Sequence, residues 1–160
     1  MIKVTLKDGV VKEYENAISV LDIAKSISEG LARNACCGIV DGETQDLRFV
    51  VDKDSEVSIC TFDDEEGKRA FRHTASHIMA QAIKRLYPET KLAIGPAIAD
   101  GFYYDFDRPT PFTPEELTAI EKEMKAIVKE NLPLEKFELP RAEAIKYMEE
   151  REEPYKVELI

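Results

Sequence analysis

The chain opens on a hairpin. Ile2, Val4 and Leu6 alternate with polar residues and so share one strand face, Asp8-Gly9 is a tight-turn pair, and Val10 to Tyr14 reads as the returning strand. The next segment must cover that ribbon. Ser19 can cap a helix over Val20 to Ile27, in which Val20, Ile23, Ala24 and Ile27 recur at helical spacing, and Gly30 stands just past its end. Cys37 to Val40, a short Leu47 to Val51, and Val57 to Phe62 are further strand candidates, with Asp41-Gly42 as the turn after the first of them.

Hairpin, helix and more strands in about sixty residues predict an α+β unit of ubiquitin size, a β-grasp-like fold with the helix across one face of a mixed sheet. Asp63-Asp64-Glu65-Glu66-Gly67 is then a polar joint whose acids suit the unpaired N–H groups of a following helix. A domain boundary is expected there, giving residues 1–62 and 63–160. Apolar residues recur at helical spacing from Arg69 until Tyr87-Pro88 stops the helix. Leu92 to Phe106 is punctuated by Gly95 and Gly101 and reads as strand, turn, strand. Thr113-Pro114-Glu115-Glu116 starts a helix that runs to about Glu130, with Leu117, Ile120, Met124, Ile127 and Val128 as its packing stripe. Pro140 opens another helix to about Glu150, and Tyr155 to Ile160 reads as a strand. Ending on strand-like residues with no polar tail predicts that the folded unit continues past Ile160.

Composition narrows the function. With 44% hydrophobic and 34% charged residues the chain is of ordinary globular type, and no window is long and apolar enough for a membrane span. Met1 to Leu6 lacks the apolar run of a signal peptide, so a cytoplasmic location is expected, without membrane association. The net charge is −10, divided at Phe62 into −4 and −6, so neither part can grip nucleic acid by bulk charge and any RNA contact must be local. Cys36, Cys37 and Cys60 make no disulfide framework and no C-x-x-C pair, and are expected reduced and packed.

The only histidines, His73 and His77, lie i and i+4 on one predicted helix and project from the same face. Such a pair can bind one metal ion, or can hold and deprotonate a water. It can equally be two helix-face histidines with no task. No third residue has convincing metal-ligand spacing, so His73 and His77 are possible metal ligands only with help from elsewhere.

Arg72-His73-Thr74-Ala75-Ser76-His77, then Ile94-Gly95-Pro96, then Asp100-Gly101-Phe102-Tyr103-Tyr104-Asp105 together closely resemble the start of the editing domain of threonyl-tRNA synthetases. Residues 1–62 look like the TGS domain, a β-grasp module these enzymes carry at this place, and Glu153-Pro154-Tyr155-Lys156-Val157 resembles the family's glutamate-x-tyrosine-lysine-valine strand. The resemblance covers nearly all 160 residues. It implies an N-terminal piece of a threonine-tRNA ligase, a TGS domain followed by a truncated α+β editing domain. The family's further Cys-x-x-x-His element belongs to a later part of the chain.

The family's chemistry answers a selection problem. Losing one methyl changes binding by only about 1–3 kcal/mol, so a pocket built for threonine rejects serine poorly and a second, hydrolytic site is needed. The resemblance makes His73, His77 and Lys156 the catalytic candidates in cleaving mischarged seryl-tRNA, with Lys156 stabilising the oxyanion or protonating the ribose leaving oxygen. Tyr104, Gly95 and Asp100 become candidates for binding the tRNA terminus. Each also has a plainer reading: Lys156 as a solvated lysine, Tyr104 as packing, Gly95 as a close-approach turn, Asp100 as a turn residue before glycine. No cofactor is expected in these 160 residues; ATP with magnesium, zinc and the homodimer contacts are implied for the rest of such an enzyme, and threonine-specific tRNA is the implied partner. Other readings are a non-catalytic tRNA-contacting or regulatory TGS module, as in GTPases or alarmone enzymes, which explains only residues 1–62, and an alanyl-tRNA-synthetase-like trans-editing protein, which does not predict the N-terminal module.

Overall fold

In the computed structural model, which describes residues 1–160, the chain divides into two compact units, Met1–Arg72 and His73–Ile160. In the first unit β1 (Ile2–Leu6) pairs antiparallel with β2 (Val11–Tyr14) across the Asp8-Gly9 turn, where Gly9 takes φ +83°. β3 (Ile18–Ser19) leads into α1 (Val20–Ile27), whose N-cap Ser19 accepts a 3.1 Å bond from the Asp22 N–H. Then come α2 (Glu29–Asn34), β4 (Ala35–Val40), β5 (Glu43–Gln45), β6 (Val50–Val51) and β7 (Ser55–Thr61).

The sheet order is β2-β1-β7-β4-β5, with β1 parallel to β7 and every other neighbour antiparallel, while β3 and β6 form a small separate ladder. This is the mixed β-grasp sheet. Val20 and Ile23 of α1 pack with Ile2, Val4, Val40, Val51 and Val57 in one core. Gly38 lets the helix come close, since a Cβ there would meet Val20 Cγ1 at 2.6 Å. Cys37 and Cys60 face each other across the β4–β7 ladder, both buried, and burial pushes the Cys37 thiol up to about 12. All three thiols are free.

The structure corrects two expectations in this unit. α1 ends at Ile27 as expected, but Gly30 beyond it is not a helix stop and lies inside α2, because Ser28 ends α1 and its hydroxyl then caps a second helix by accepting from the Leu31 N–H. The strand expected over Leu47 to Val51 is only the two residues of β6.

α3 (Glu65–Leu86) begins in the first unit, where Gly67 lies against the Thr61 carbonyl and Phe71 makes an edge contact with Phe62 at 5.1 Å. Both contacts lie within Met1–Arg72.

The second unit takes the remainder of α3, from His73 on. Leu92 to Phe106 forms two short antiparallel ladders in place of one hairpin: β8 (Lys91–Leu92) with β11 (Phe106–Asp107), and, nested within, β9 (Ala97–Ile98) with β10 (Gly101–Phe102). α4 (Pro114–Glu130) starts with the capping box, Thr113 and Glu116 each bonding the other's backbone N–H at 3.2 and 2.9 Å. Ile120 and Ile127 of α4 pack with Ala82 and Ile83 of α3. The predicted stripe is narrower than expected: Leu117 and Val128 are exposed, because only the sector centred on Ile120, Met124 and Ile127 meets α3.

α5 (Arg141–Glu149) ends in a Schellman turn, with Glu153 N–H bonding the Met148 carbonyl and Glu152 N–H the Glu149 carbonyl, and with Glu152 in the left-handed region at φ +55°. The segment expected as a strand, Tyr155 to Ile160, is instead α6 (Pro154–Leu159). Its alternation of apolar and polar residues suits a strand, but Pro154 at the first helical position presets φ. The Glu153 carbonyl then accepts from Lys156 and Val157 N–H, which closes the first turn. None of the helices is long and apolar enough to cross a membrane.

Candidate functional site

Spacing of i and i+4 on α3 brings the two imidazoles into contact. His73 Nε2 and His77 Nε2 stand 3.0 Å apart, with ring centroids 4.5 Å apart and planes near perpendicular. A bond between two ring nitrogens holds one proton, so the pair in this geometry includes at least one neutral imidazole. Burial, then the neighbouring charges of His73 and Lys156, pushes the His77 pKa below its ordinary 6.5. Between the histidines' turns, the fully buried Ser76 hydroxyl lies 2.7 Å from the His73 carbonyl and 3.2 Å from the Gly95 carbonyl, tying α3 to the strand segment beside it.

That segment supplies Tyr104. The Ala93 N–H donates to the Asp105 carbonyl at 3.0 Å and the Asp105 N–H to the Ile94 carbonyl at 2.8 Å, which extends the β8–β11 pairing, so Tyr104 returns opposite Gly95. A Cβ on Gly95 would lie 2.1 Å from the Tyr104 ring, and the ring stacks on Phe106 at 4.7 Å. From α6, Lys156 Nζ donates to the Ala93 carbonyl at 2.8 Å and to the Tyr104 hydroxyl at 3.1 Å. No carboxylate is paired with it.

His77, Gln81, Lys84, Tyr104, Tyr147 and Lys156 line one cleft of about 570 Å³. The structure thus gathers His73, His77, Lys156, Tyr104 and Gly95, with His73 joined through His77. Asp100 is not brought in: it is exposed in the turn between β9 and β10 and does not line the cleft. For a metal, the two imidazoles are one protein donor short of the three that a catalytic zinc keeps, and no group of three or more His, Cys, Asp or Glu could hold an ion.

Sequence reasoning gave no place to Lys84, and gave Glu153 none beyond opening the glutamate-x-tyrosine-lysine-valine resemblance. Glu153 is a buried carboxylate: Oε1 pairs with Lys84 Nζ at 2.8 Å and Oε2 accepts from the Leu92 N–H at 3.0 Å. That resemblance marks the residue but not its burial, since one acid among many carries no signal of burial.

Known proteins resemble this chain along its whole length. A family model described as the TGS domain matches residues 2–61. Over all 160 residues the chain is 60% identical to the threonine–tRNA ligase of Clostridium perfringens strain 13, 64% to that of Clostridium botulinum strain Eklund 17B and 61% to that of Clostridioides difficile strain 630. In each case the match covers 100% of this chain and 25% of the relative, so the chain spans about a quarter of those proteins' length. Residues 2–61 therefore match the TGS domain, and the chain as a whole is similar to the N-terminal region of threonine–tRNA ligases.

Proposed function

We propose that this chain is the N-terminal region of an enzyme that joins threonine to its tRNA, and that its second unit takes part in hydrolysing seryl-tRNA made in error. The observation that carries the reading is the convergence of His77, Tyr104 and Lys156, with His73 behind, on one cleft. Residues 1–62 are the TGS module and residues 63–160 the first part of the editing domain, with tRNA as the partner of both. Charging with ATP and magnesium, the zinc site and the dimer contacts belong to other parts of the ligase, which works in the cytoplasm.

The chemistry is acyl transfer to water. An unprotonated imidazole of the pair takes a proton from water as its oxygen attacks the ester carbonyl carbon. Lys156 donates to the carbonyl oxygen as it gains charge. The bond to the ribose oxygen then breaks, and the imidazolium returns the proton to that oxygen, leaving serine and uncharged tRNA. Tyr104 holds Lys156 at its post, and Gly95 admits the Tyr104 ring.

The test is release of serine from seryl-tRNA specific for threonine, using the full-length ligase. His73→Ala and Lys156→Ala are each expected to slow release by about a hundredfold or more while threonine charging persists. Wild-type release from both variants would remove the site assignment. Residues 1–160 alone are expected to hydrolyse little, since the family's Cys-x-x-x-His element lies outside them.

A further inference from the structure

Two lysines face the cleft, and one acid divides their roles. Lys84 stands seven residues after His77 on α3, two helical turns along the same face. Its ammonium has three protons and three oxygen partners: the Pro88 carbonyl at 2.8 Å, the Thr90 carbonyl at 3.1 Å and Glu153 Oε1 at 2.8 Å. Lys84 is thus spent on structure. Glu153 spends its second oxygen on the Leu92 N–H, one residue before Ala93, whose carbonyl receives Lys156. The Glu153 backbone carbonyl in turn accepts from the Lys156 N–H at 3.1 Å. One residue therefore joins the histidine helix, the strand beside Lys156 and the helix that bears Lys156.

We propose that the buried Glu153–Lys84 pair is a positioning device for Lys156, fixing its ammonium relative to the histidine pair and, by taking Lys84, leaving Lys156 as the one cleft lysine without a carboxylate partner. The inference rests on the hydrolytic role proposed for the cleft. Neither Glu153 nor Lys84 touches substrate in this mechanism; both act through Lys156. A displacement of about 1 Å at a reacting group can cost about a hundredfold in rate, so the loss of the pair should fall on the chemical step.

The test uses the full-length ligase with Glu153→Gln, Lys84→Met, Lys84→Arg and Lys156→Ala, measuring kcat and KM for seryl-tRNA hydrolysis, with threonine charging and Tm as measures of fold. Glu153→Gln keeps the shape and an oxygen for Leu92 but removes the charge. It and Lys84→Met are expected to lower the hydrolytic kcat by about tenfold to a hundredfold with KM within about twofold, while Lys84→Arg keeps most of the rate. Wild-type hydrolysis by Glu153→Gln and Lys84→Met beside an impaired Lys156→Ala would overturn the positioning role alone. So would a parallel fall of hydrolysis, charging and Tm in both, or failure of Lys84→Arg to restore the rate. A fully active Lys156→Ala would overturn the hydrolytic reading, and this inference with it.

Discussion

The ammonium of Lys156 stands 3.1 Å from the phenolic oxygen of Tyr104, across 52 residues of sequence. Because the Tyr104 ring is also stacked on Phe106, deleting only the hydroxyl isolates the polar contact. Tyr104→Phe should keep the stack and the fold, and leave Lys156 held by the Ala93 carbonyl alone. Hydrolysis of seryl-tRNA is expected to fall by about three- to tenfold, read as kcat in a single-turnover assay.

Gly95→Ala should do more damage than its size suggests. The added methyl carbon meets ring carbons of Tyr104 at 2.1 and 2.4 Å, and that ring cannot retreat without leaving Phe106 and Lys156. Overpacking of this kind costs about 1–3 kcal/mol, visible as a lower denaturation midpoint, and hydrolysis should fall by more than in Tyr104→Phe.

The depressed pKa of His77 gives a signed prediction. Burial is the first cause, followed by His73 and Lys156, so in an NMR titration the His77 ring should change charge at a pH below 6.5. Lys156→Met should move the midpoint upward. Between the folded value and 6.5 the unfolded chain binds more protons, so the stability linked to this ring is complete above about 6.5 and is lost as pH falls through that window. His77→Gln should remove that part of the pH slope of the unfolding free energy.

Glu152 occupies a left-handed position that commonly belongs to glycine, at a cost of roughly 1–2 kcal/mol for a residue with a Cβ. Its carboxylate is 84% exposed and only 3.6 Å from Lys91, a pairing that contributes little in water. Glu152→Gly gives back about 0.5–1 kcal/mol as lost backbone freedom. The net effect should be a stability gain of up to about 1 kcal/mol, seen as a raised Tm.

Local rules reach some of this molecule and miss the rest for identifiable reasons. The Asp8-Gly9 turn, the Ser19 cap and the Thr113–Glu116 capping box declare themselves because each is a contact within a few residues. The histidine pair is legible for the same reason, helical spacing alone bringing Nε2 to Nε2. α2 escapes because Ser28 both ends one helix and begins another, a double use that makes Gly30 look like a stop. α6 escapes because Tyr155-Lys156-Val157-Glu158-Leu159 alternates like a strand, and that pattern outweighs the one local helix signal, Pro154 at the first helical position. The Glu153–Lys84 pair spans 69 positions and has no local signature at all.

The parallel pairing of β1 with β7 has a consequence for synthesis. Val4 lies beside Ser55, and Leu6 beside Val57, so β1 leaves the ribosome well before its inner neighbour β7. Until that neighbour emerges, the leading hairpin has one flank open and an uncovered apolar face. Closing so distant a contact is slow compared with local helix formation, so assembly of the N-terminal module waits on translation through residue 57.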